Sequence, residues 1–435
     1  MSNYSARALF KGDIAVWIIF MLLCCFSLVE VFSATSTLAY KQANIWQPIV
    51  RHASFLFVGC LFVLGLPHIH YKFFSLGILL LPLALLLLGL TYIIGVTTND
   101  ASRWLVLMGV QFQPSEIGKL ACIIYVSFWL SKRNKLSDDT VYKIIVWGVG
   151  LVCFLIFPAN FSTALILGVI CFLLMFIGQI PLKKLGKLLG SLFIIAVIGV
   201  LALQALPEET TKKYLPRRVQ TWQNRISNFI APKMQSEDEQ SEQPSTYKIT
   251  DENYQESHAK IAIARGGVFG KLPGQSVQRD FLPQAYSDFI YAIILEEMGI
   301  AGGIAVLLLY VMLMIRVGII AKRCEKLFPK YLAIGCGLMI VVQAFTHMGI
   351  NVGLFPVTGQ PLPLISRGGT STILTCIYIG IILSVSHFGA KMTEEENEDE
   401  EGILEMDATN TDTKEEDSVG ELEPVMAVES IKTEE

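Results

Sequence analysis

The stretch "LPQAYSDFIYAIILEEMGIAGGIAVLLLYVMLMIRVGII", residues 282–320, decides the fold. After a proline and a polar turn it becomes an apolar run over residues 290–320, long enough at about 1.5 Å per residue to cross about 30 Å of hydrocarbon. Asp288 stands at the mouth of this run, and Glu296 and Glu297 lie within it, where an unpaired charge is costly. Further apolar runs fall near 14–34, 52–69, 73–95, 116–131, 143–158, 162–180, 186–206, 331–355 and 369–390. With 53 % hydrophobic residues, 17 % charged and a mean hydropathy of +0.52, the chain reads as an all-α integral membrane protein of about ten transmembrane helices. The 116–131 run, counted among the ten, is short and holds Glu116 and Lys119, so its alternative reading is a partly re-entrant helix, tolerated only where protein or a wet cavity covers it.

Lysines and arginines near span ends mark the cytoplasmic side. Arg7 and Lys11, then Lys132, Arg133 and Lys135, then Lys183, Lys184 and Lys187, then Lys322, Arg323, Lys326 and Lys330 fall in alternate loops, so both termini are expected inside. The first apolar run has no small-residue cleavage pattern and is read as a retained span. A membrane domain over 1–391 is followed by an acidic segment, 392–435, whose 18 carboxylates and two lysines suggest a disordered cytoplasmic tail. Its net charge of −16, against −4 for the whole chain, leaves a membrane body at +12. No nucleic-acid motif accompanies that positive charge. The nine cysteines lie in spans or inner loops without a CxxC pair and read as small apolar side chains.

Polarity concentrates on the other face: a long outer loop at 207–287, "TTNDASRWLVLMGVQFQPSEIGK" entering the fourth span, and "PVTGQPLPLISRGGTS" before the last. These stretches converge in expectation on one outward-facing cavity. The blocks "SRWLVLMGVQFQPSEIGKL", "YQESHAKIAIARGGVFG" with "GQSVQRDFLPQAYSDFIYAIILEEMG", and "NVGLFPVTGQPLPLISRGGTS" resemble, in order, the signatures of the SEDS family (shape, elongation, division and sporulation). The "FLPQAYSDF" block is nearer the family's division members than its elongation members.

The resemblance implies a peptidoglycan glycosyltransferase of the cytoplasmic membrane, acting at the division septum. Its implied substrates are lipid II and the growing glycan strand, and its implied partners are a class B penicillin-binding transpeptidase, other division membrane proteins and membrane lipid. It also implies an essential catalytic aspartate at Asp288 and functional roles for Glu116 and Lys119. The chain departs from the family's "EAHTD" at Gln284 and Tyr286, from a tyrosine at Arg367 and from "PDLGTA" at Asn160.

The residues are consistent with that chemistry. A C4 hydroxyl attacks an anomeric carbon while a pyrophosphate leaves, which calls for a carboxylate base and cationic help. Asp288 is the candidate base, with a helix cap as its alternative role. On one continuous helix Glu296 and Glu297 would lie about 12–14 Å beyond it, and Glu296 is expected to pair with a cation such as Lys119. Glu116 and Lys119, three apart, share a helical face: either a self-satisfied ion pair, or a site where Lys119 meets the pyrophosphate and Glu116 orients it or a metal. A divalent cation, Mg2+ or Mn2+, is expected on Asp288 and Glu116. Arg103, beside Trp104, and Arg217, Arg218 and Arg225 are candidates to grip phosphate. Pro361 and Pro363 stiffen the last outer stretch, Gly368 and Gly369 let backbone approach a ligand, and Ser366 is a candidate donor to it. A lipid flippase would use the same cavity without a base, and a division scaffold would not need Asp288 at all.

Overall fold

The computed structural model describes residues 10–35, 46–98, 101–107, 110–205, 249 and 253–389. Helices occupy every one of the ten apolar runs: α1 (Ile14–Ala34), α2 (Gln47–Gly65), α3 (Leu80–Ile94), α4 (Pro114–Ser131), α5 (Asp138–Ile156), α6 (Phe161–Ile177), α7 (Leu182–Ala205), α10 (Gly299–Lys322), α11 (Leu327–Asn351) and α12 (Thr370–Gly389). Two shorter helices, α8 (Tyr254–Gly266) and α9 (Ile290–Glu297), precede α10. Among the described residues seven helices are long and apolar enough to cross a membrane.

Local signals set the helix starts. Asp13 caps α1 by accepting from the amides of Ala15 and Val16 at 2.9 and 3.2 Å. Pro48 and Pro114 occupy first turns, where a missing N–H costs nothing. Ser137 caps α5 and Asn160 caps α6, accepting from Thr140 and Thr163. The departure at Asn160 thus has a local role as a helix cap.

The helices alternate in direction. Arg316, late in α10, pairs with Asp13 at the start of α1, while Ser33, at the other end of α1, bonds Glu297 just before α10 begins. Arg133 binds Asp138 at 2.5 Å and donates to the carbonyl of Gly178 at 2.7 Å, so the α4–α5 turn and the end of α6 meet. One end of the bundle therefore carries Asp13, Lys132, Arg133, Lys184 and Arg316, and the opposite end carries Ala34, Pro114, Asn160, Glu297 and Asn351. Buried α11 is the core strut, with 83 % of its apolar window enclosed, and it packs on α4, α6 and α10.

Two expectations change. The fold is not purely helical: β1 (Val96–Thr98), β2 (Ala101–Leu107) and β3 (Val110–Phe112) form a small antiparallel sheet between α3 and α4, with Val96 opposite Trp104 and Leu105 opposite Phe112. The 116–131 run is part of an unbroken, largely buried 18-residue helix, α4. The 290–320 run is two helices, because Gly299 takes φ +69° and turns the chain between α9 and α10. There the loop after α8 closes on the break: the amides of Lys271 and Leu272 donate to the carbonyls of Glu296 and Glu297 at 3.0 and 2.8 Å, and Ile300 donates to Gly267 at 3.0 Å. Part of the expected 207–287 loop is thus α8 and a 3-10 turn, Gln278–Asp280; residues 206–248, 250–252 and the acidic segment lie outside the described residues.

Candidate functional site

Asp288 does not lie on α9. It ends an irregular turn in which Gln284 adopts φ +60° and its carbonyl accepts from the amides of Ser287 and Asp288 at 2.9 and 3.0 Å. The N-cap position of α9 is Phe289, one residue after Asp288, and Phe289 makes no side-chain cap bond. Its Oδ1 accepts from the Ser287 hydroxyl at 2.9 Å. Its Oδ2 faces Gly359, where a built Cβ would stand 3.1 Å away, and Gly359 takes a left-handed φ of +68°. A glycine here leaves room in front of the carboxylate.

Gly359 belongs to the proline-rich connection between α11 and α12, and side chains from four helices, with a backbone carbonyl of the Asp288 turn, hold that connection. Gln343 donates to the carbonyl of Pro361 at 3.1 Å and Tyr310 to that of Pro363 at 2.5 Å. His347 donates through Nδ1 to the carbonyl of Gln360 at 2.7 Å, whose own amide donates to Thr163 at 3.0 Å. Ser27 donates to the carbonyl of Ile365 at 3.1 Å. Ser366 accepts from the amide of Leu362 and donates to the carbonyl of Ser287, both at 2.7 Å, so its hydroxyl proton ties the loop to the Asp288 turn. At the entry to α12, a Cβ on Gly368 would strike Ser371 Oγ at 2.2 Å, and Gly369 takes φ +57°.

Two departures from the family pattern meet. The Arg367 amide donates to the carbonyl of Tyr286 at 3.0 Å and its guanidinium lies 5.2 Å from the centre of the Tyr286 ring. Burial pushes the Arg367 pKa down, Tyr286 opposes that shift, and the charge of Arg51 adds to it.

Lys119 is 2 % exposed, 2.7 Å from Glu116 Oε1, and donates to Gln343 Oε1 at 3.2 Å. Gln343 passes the connection on to Pro361, so the ion pair and Asp288 reach the same loop, at 361 and 359. Arg103 on β2 lines a small cleft with Gln113, Ser115 and Asn160, beside the start of α4. Arg217, Arg218 and Arg225 lie outside the described residues.

Glu296 does not pair with Lys119. It binds Arg265 of α8 at 3.3 Å and accepts from Ser276 Oγ and from the amides of Val277 and Gln278 at 3.3 and 3.2 Å. Glu297 accepts from Ser33 Oγ at 2.5 Å and the Ser276 amide at 3.2 Å, with Arg279 at 3.8 Å. Both carboxylates are fully buried and fasten the 274–279 loop to the end of α1. The break at Gly299 ends α9 just after these two carboxylates, and the 274–279 loop, Arg265 and Ser33 engage them there instead of Lys119.

Asp288 and Glu116 do not form a ready-made metal cage. Glu116 is engaged by Lys119, and no group of three or more His, Cys, Asp or Glu side chains suited to a metal occurs among the described residues. The sequence reading missed Gln343, His347, Asn351, Thr163, Tyr310 and Ser27. A polar residue on a buried helical face signals such a role, but the pattern does not say which loop it holds.

A bundle of apolar helices with a half-buried carboxylate turn, a buried ion pair and a clamped proline-glycine loop toward one end defines a polytopic membrane protein with a polar site. The chain belongs to the FtsW/RodA/SpoVE family of cell cycle proteins, whose profile it matches over residues 13–391. It is 33 % identical over 368 residues to a probable peptidoglycan glycosyltransferase FtsW of Nitrosococcus halophilus, covering 82 % of this chain and 87 % of that one. It is 32 % identical over 368 residues to the Legionella pneumophila protein of the same name, covering 81 % and 86 %. Its fold resembles a chain from a solved structure described as "structural coordination of polymerization and crosslinking by a peptidoglycan synthase complex", with a TM-score of 0.67, 24 % identity and coverage of 87 % and 98 %. It also resembles the rod shape determining protein RodA of Thermus thermophilus, with a TM-score of 0.58, 23 % identity and coverage of 86 % and 96 %.

Proposed function

We propose that the chain is a peptidoglycan glycosyltransferase of the division type, joining lipid II units into glycan strands with Asp288 as the general base. The observation that carries this reading is the position of the Asp288 carboxylate: it faces the side-chain-less Gly359 on a loop that the buried Glu116–Lys119 pair reaches through Gln343. The relatives named as probable peptidoglycan glycosyltransferases support it.

Asp288 takes the proton from the acceptor's C4 hydroxyl as that oxygen bonds to the donor's anomeric carbon, and the bond to undecaprenyl diphosphate breaks. Ser287 donates to Oδ1, and Oδ2, on the side that faces Gly359, is the oxygen proposed to receive the proton. Lys119 and Arg103 are the cations proposed for the leaving pyrophosphate. A divalent cation, when it accompanies the substrate, supplies further charge neutralisation at the pyrophosphate. Asp288 is the protein oxygen ligand that fits it, since Glu116 is held by Lys119.

The chain crosses the cytoplasmic membrane ten times with its basic end inside, so Asp288 works on the extracytoplasmic face, at the septum. Lipid and a class B penicillin-binding transpeptidase are the proposed neighbours, supported by the resemblance to a chain of a peptidoglycan synthase complex. The test is polymer formed from lipid II by purified Asp288→Asn beside the parent protein. A loss of roughly 10²–10⁴-fold, the usual range for a general base, with unchanged thermal stability is expected. Near-normal polymer from a folded variant overturns the base assignment. Transfer of lipid II across a bilayer without polymer, by the parent protein, replaces the enzyme by a flippase.

A further inference from the structure

Asn351 is the last residue of α11 and is 1 % exposed. Its Nδ2 donates to the backbone carbonyl of Asp288 at 3.2 Å and to the carbonyl of His347 at 2.8 Å, while its Oδ1 accepts from the amide of Ala292 at 3.1 Å. Only this orientation of the amide group satisfies all three neighbours, because two are carbonyls and one is an N–H. Ala292 is the third residue of α9, a position whose amide a side-chain cap usually satisfies, and α9 has no cap of its own. Asn351 supplies that cap from another helix.

The consequence reaches the carboxylate. The peptides around Asp288 are held from three directions: the Asp288 amide by Gln284, the Ser287 carbonyl by Ser366, and the Asp288 carbonyl by Asn351. Of these, only Asn351 links the turn to α11, which also carries Gln343 and His347, the residues that hold Pro361 and Gln360. Asn351 therefore refers the Asp288 side of the site and the Gly359 side of the site to one rigid helix.

We propose that Asn351 is a positioning residue for the polymerisation reaction: through two hydrogen bonds to the 288–292 backbone it fixes the direction of the Asp288 carboxylate toward Gly359. It touches no substrate. This rests on the reading of Asp288 as the base. Misplacing a reacting group by about 1 Å can cost of the order of 10²-fold in rate, whereas binding of a long lipid-linked substrate is spread over many contacts.

The experiment uses the full chain in nanodiscs and compares Asn351→Asp, Asn351→Leu and Asp288→Asn with the parent. Asn351→Asp keeps size and the acceptor to Ala292 but turns an oxygen on the Asp288 carbonyl; Asn351→Leu removes both contacts. Polymerisation kinetics with lipid II should show kcat reduced at least about tenfold in both Asn351 variants, with KM changed less than about twofold. Hydrogen exchange at the amides of 288–295 should rise in Asn351→Leu, a readout that does not depend on catalysis. An unchanged kcat in folded Asn351→Asp, or a fall carried by KM alone, overturns the inference. If Asn351→Leu does not fold, the Asn351→Asp arm decides. Near-normal activity of Asp288→Asn removes the base instead, and the exchange data then report the clamp by themselves.

Discussion

At the scale of single residues, the Glu116–Lys119 pair carries the clearest energetic statement. Both groups are almost fully buried, Lys119 at 2 % and the Glu116 side chain at 11 % exposure, 2.7 Å apart. Removing one partner of such a pair leaves an uncompensated charge in a low-dielectric setting, at a cost of about 3–5 kcal/mol. Lys119→Met should therefore lower stability by about that amount, while the double change Glu116→Gln with Lys119→Met should recover much of it. Thermal unfolding in detergent of the two single variants and the double variant measures the coupling. Equal losses in Lys119→Met and in the double variant would mean the pair is not coupled. Polymer formation should stay low in both if Lys119 also serves the pyrophosphate. The pair was legible because three-residue spacing puts both groups on one helical face. The link onward to Gln343 and Pro361 was not, since nothing in the spacing of residues 119, 343 and 361 says that they meet. Asn351 was missed for the same reason: its three partners lie four and about sixty residues away.

At the scale of elements, the joint between α8, α9 and α10 is where the pattern of apolar residues misled. Hydropathy reads 290–320 as one run, because Met298 and Gly299 do not interrupt it; backbone geometry does. The signal that reveals the break lies in the separate block "ARGGVFG", whose glycines fit the joint. A Cβ on Gly266 would stand 1.8 Å from the carbonyl oxygen of Leu295, so α8 can approach α9 only without a side chain at that point. Gly274, by contrast, takes φ +88° with nothing within 4 Å of a built Cβ. Gly266→Ala should thus force α8 from α9 and cost at least about 1–3 kcal/mol, the range for overpacking. Gly274→Ala should cost only left-handed strain, about 1–2 kcal/mol. Because Glu296 and Glu297 sit at this joint, Gly266→Ala should also expose them, raising hydrogen exchange across residues 274–279, and Gly274→Ala should not. Equal exchange and equal melting temperatures in the two variants would refute this account of the joint. The small sheet at 96–112 escaped the hydropathy reading for a simpler reason: its strands of three to seven residues are too short to be told from a polar loop by hydropathy alone.

At the scale of the molecule, the distribution of charge supplies an orientation that can be tested without any enzymology. Lys132, Arg133 and Lys135 sit where α4 ends, Lys183 and Lys184 where α7 begins, and Arg323 and Lys326 between α10 and α11. Arg133 bridges the first two of these sites by holding both Asp138 and the carbonyl of Gly178. Asp138 and Asp139 do not undo the bias, since translocation follows lysine and arginine far more than carboxylates. The Asp288 turn, the proline-glycine loop and the α8 joint gather at the other end, with α8 followed by Phe269, which is 85 % exposed. If the basic end is cytoplasmic, Phe269→Cys should react with a membrane-impermeant maleimide added to intact cells whose outer barrier has been opened, well above the background of the native cysteines. Leu136→Cys, in the turn that follows α4 and 39 % exposed, should react only after lysis. The opposite pattern would put Asp288 on the cytoplasmic face, where a polymer of lipid-linked sugars would be made on the wrong side of the membrane, and the glycosyltransferase reading of the site would fail with it.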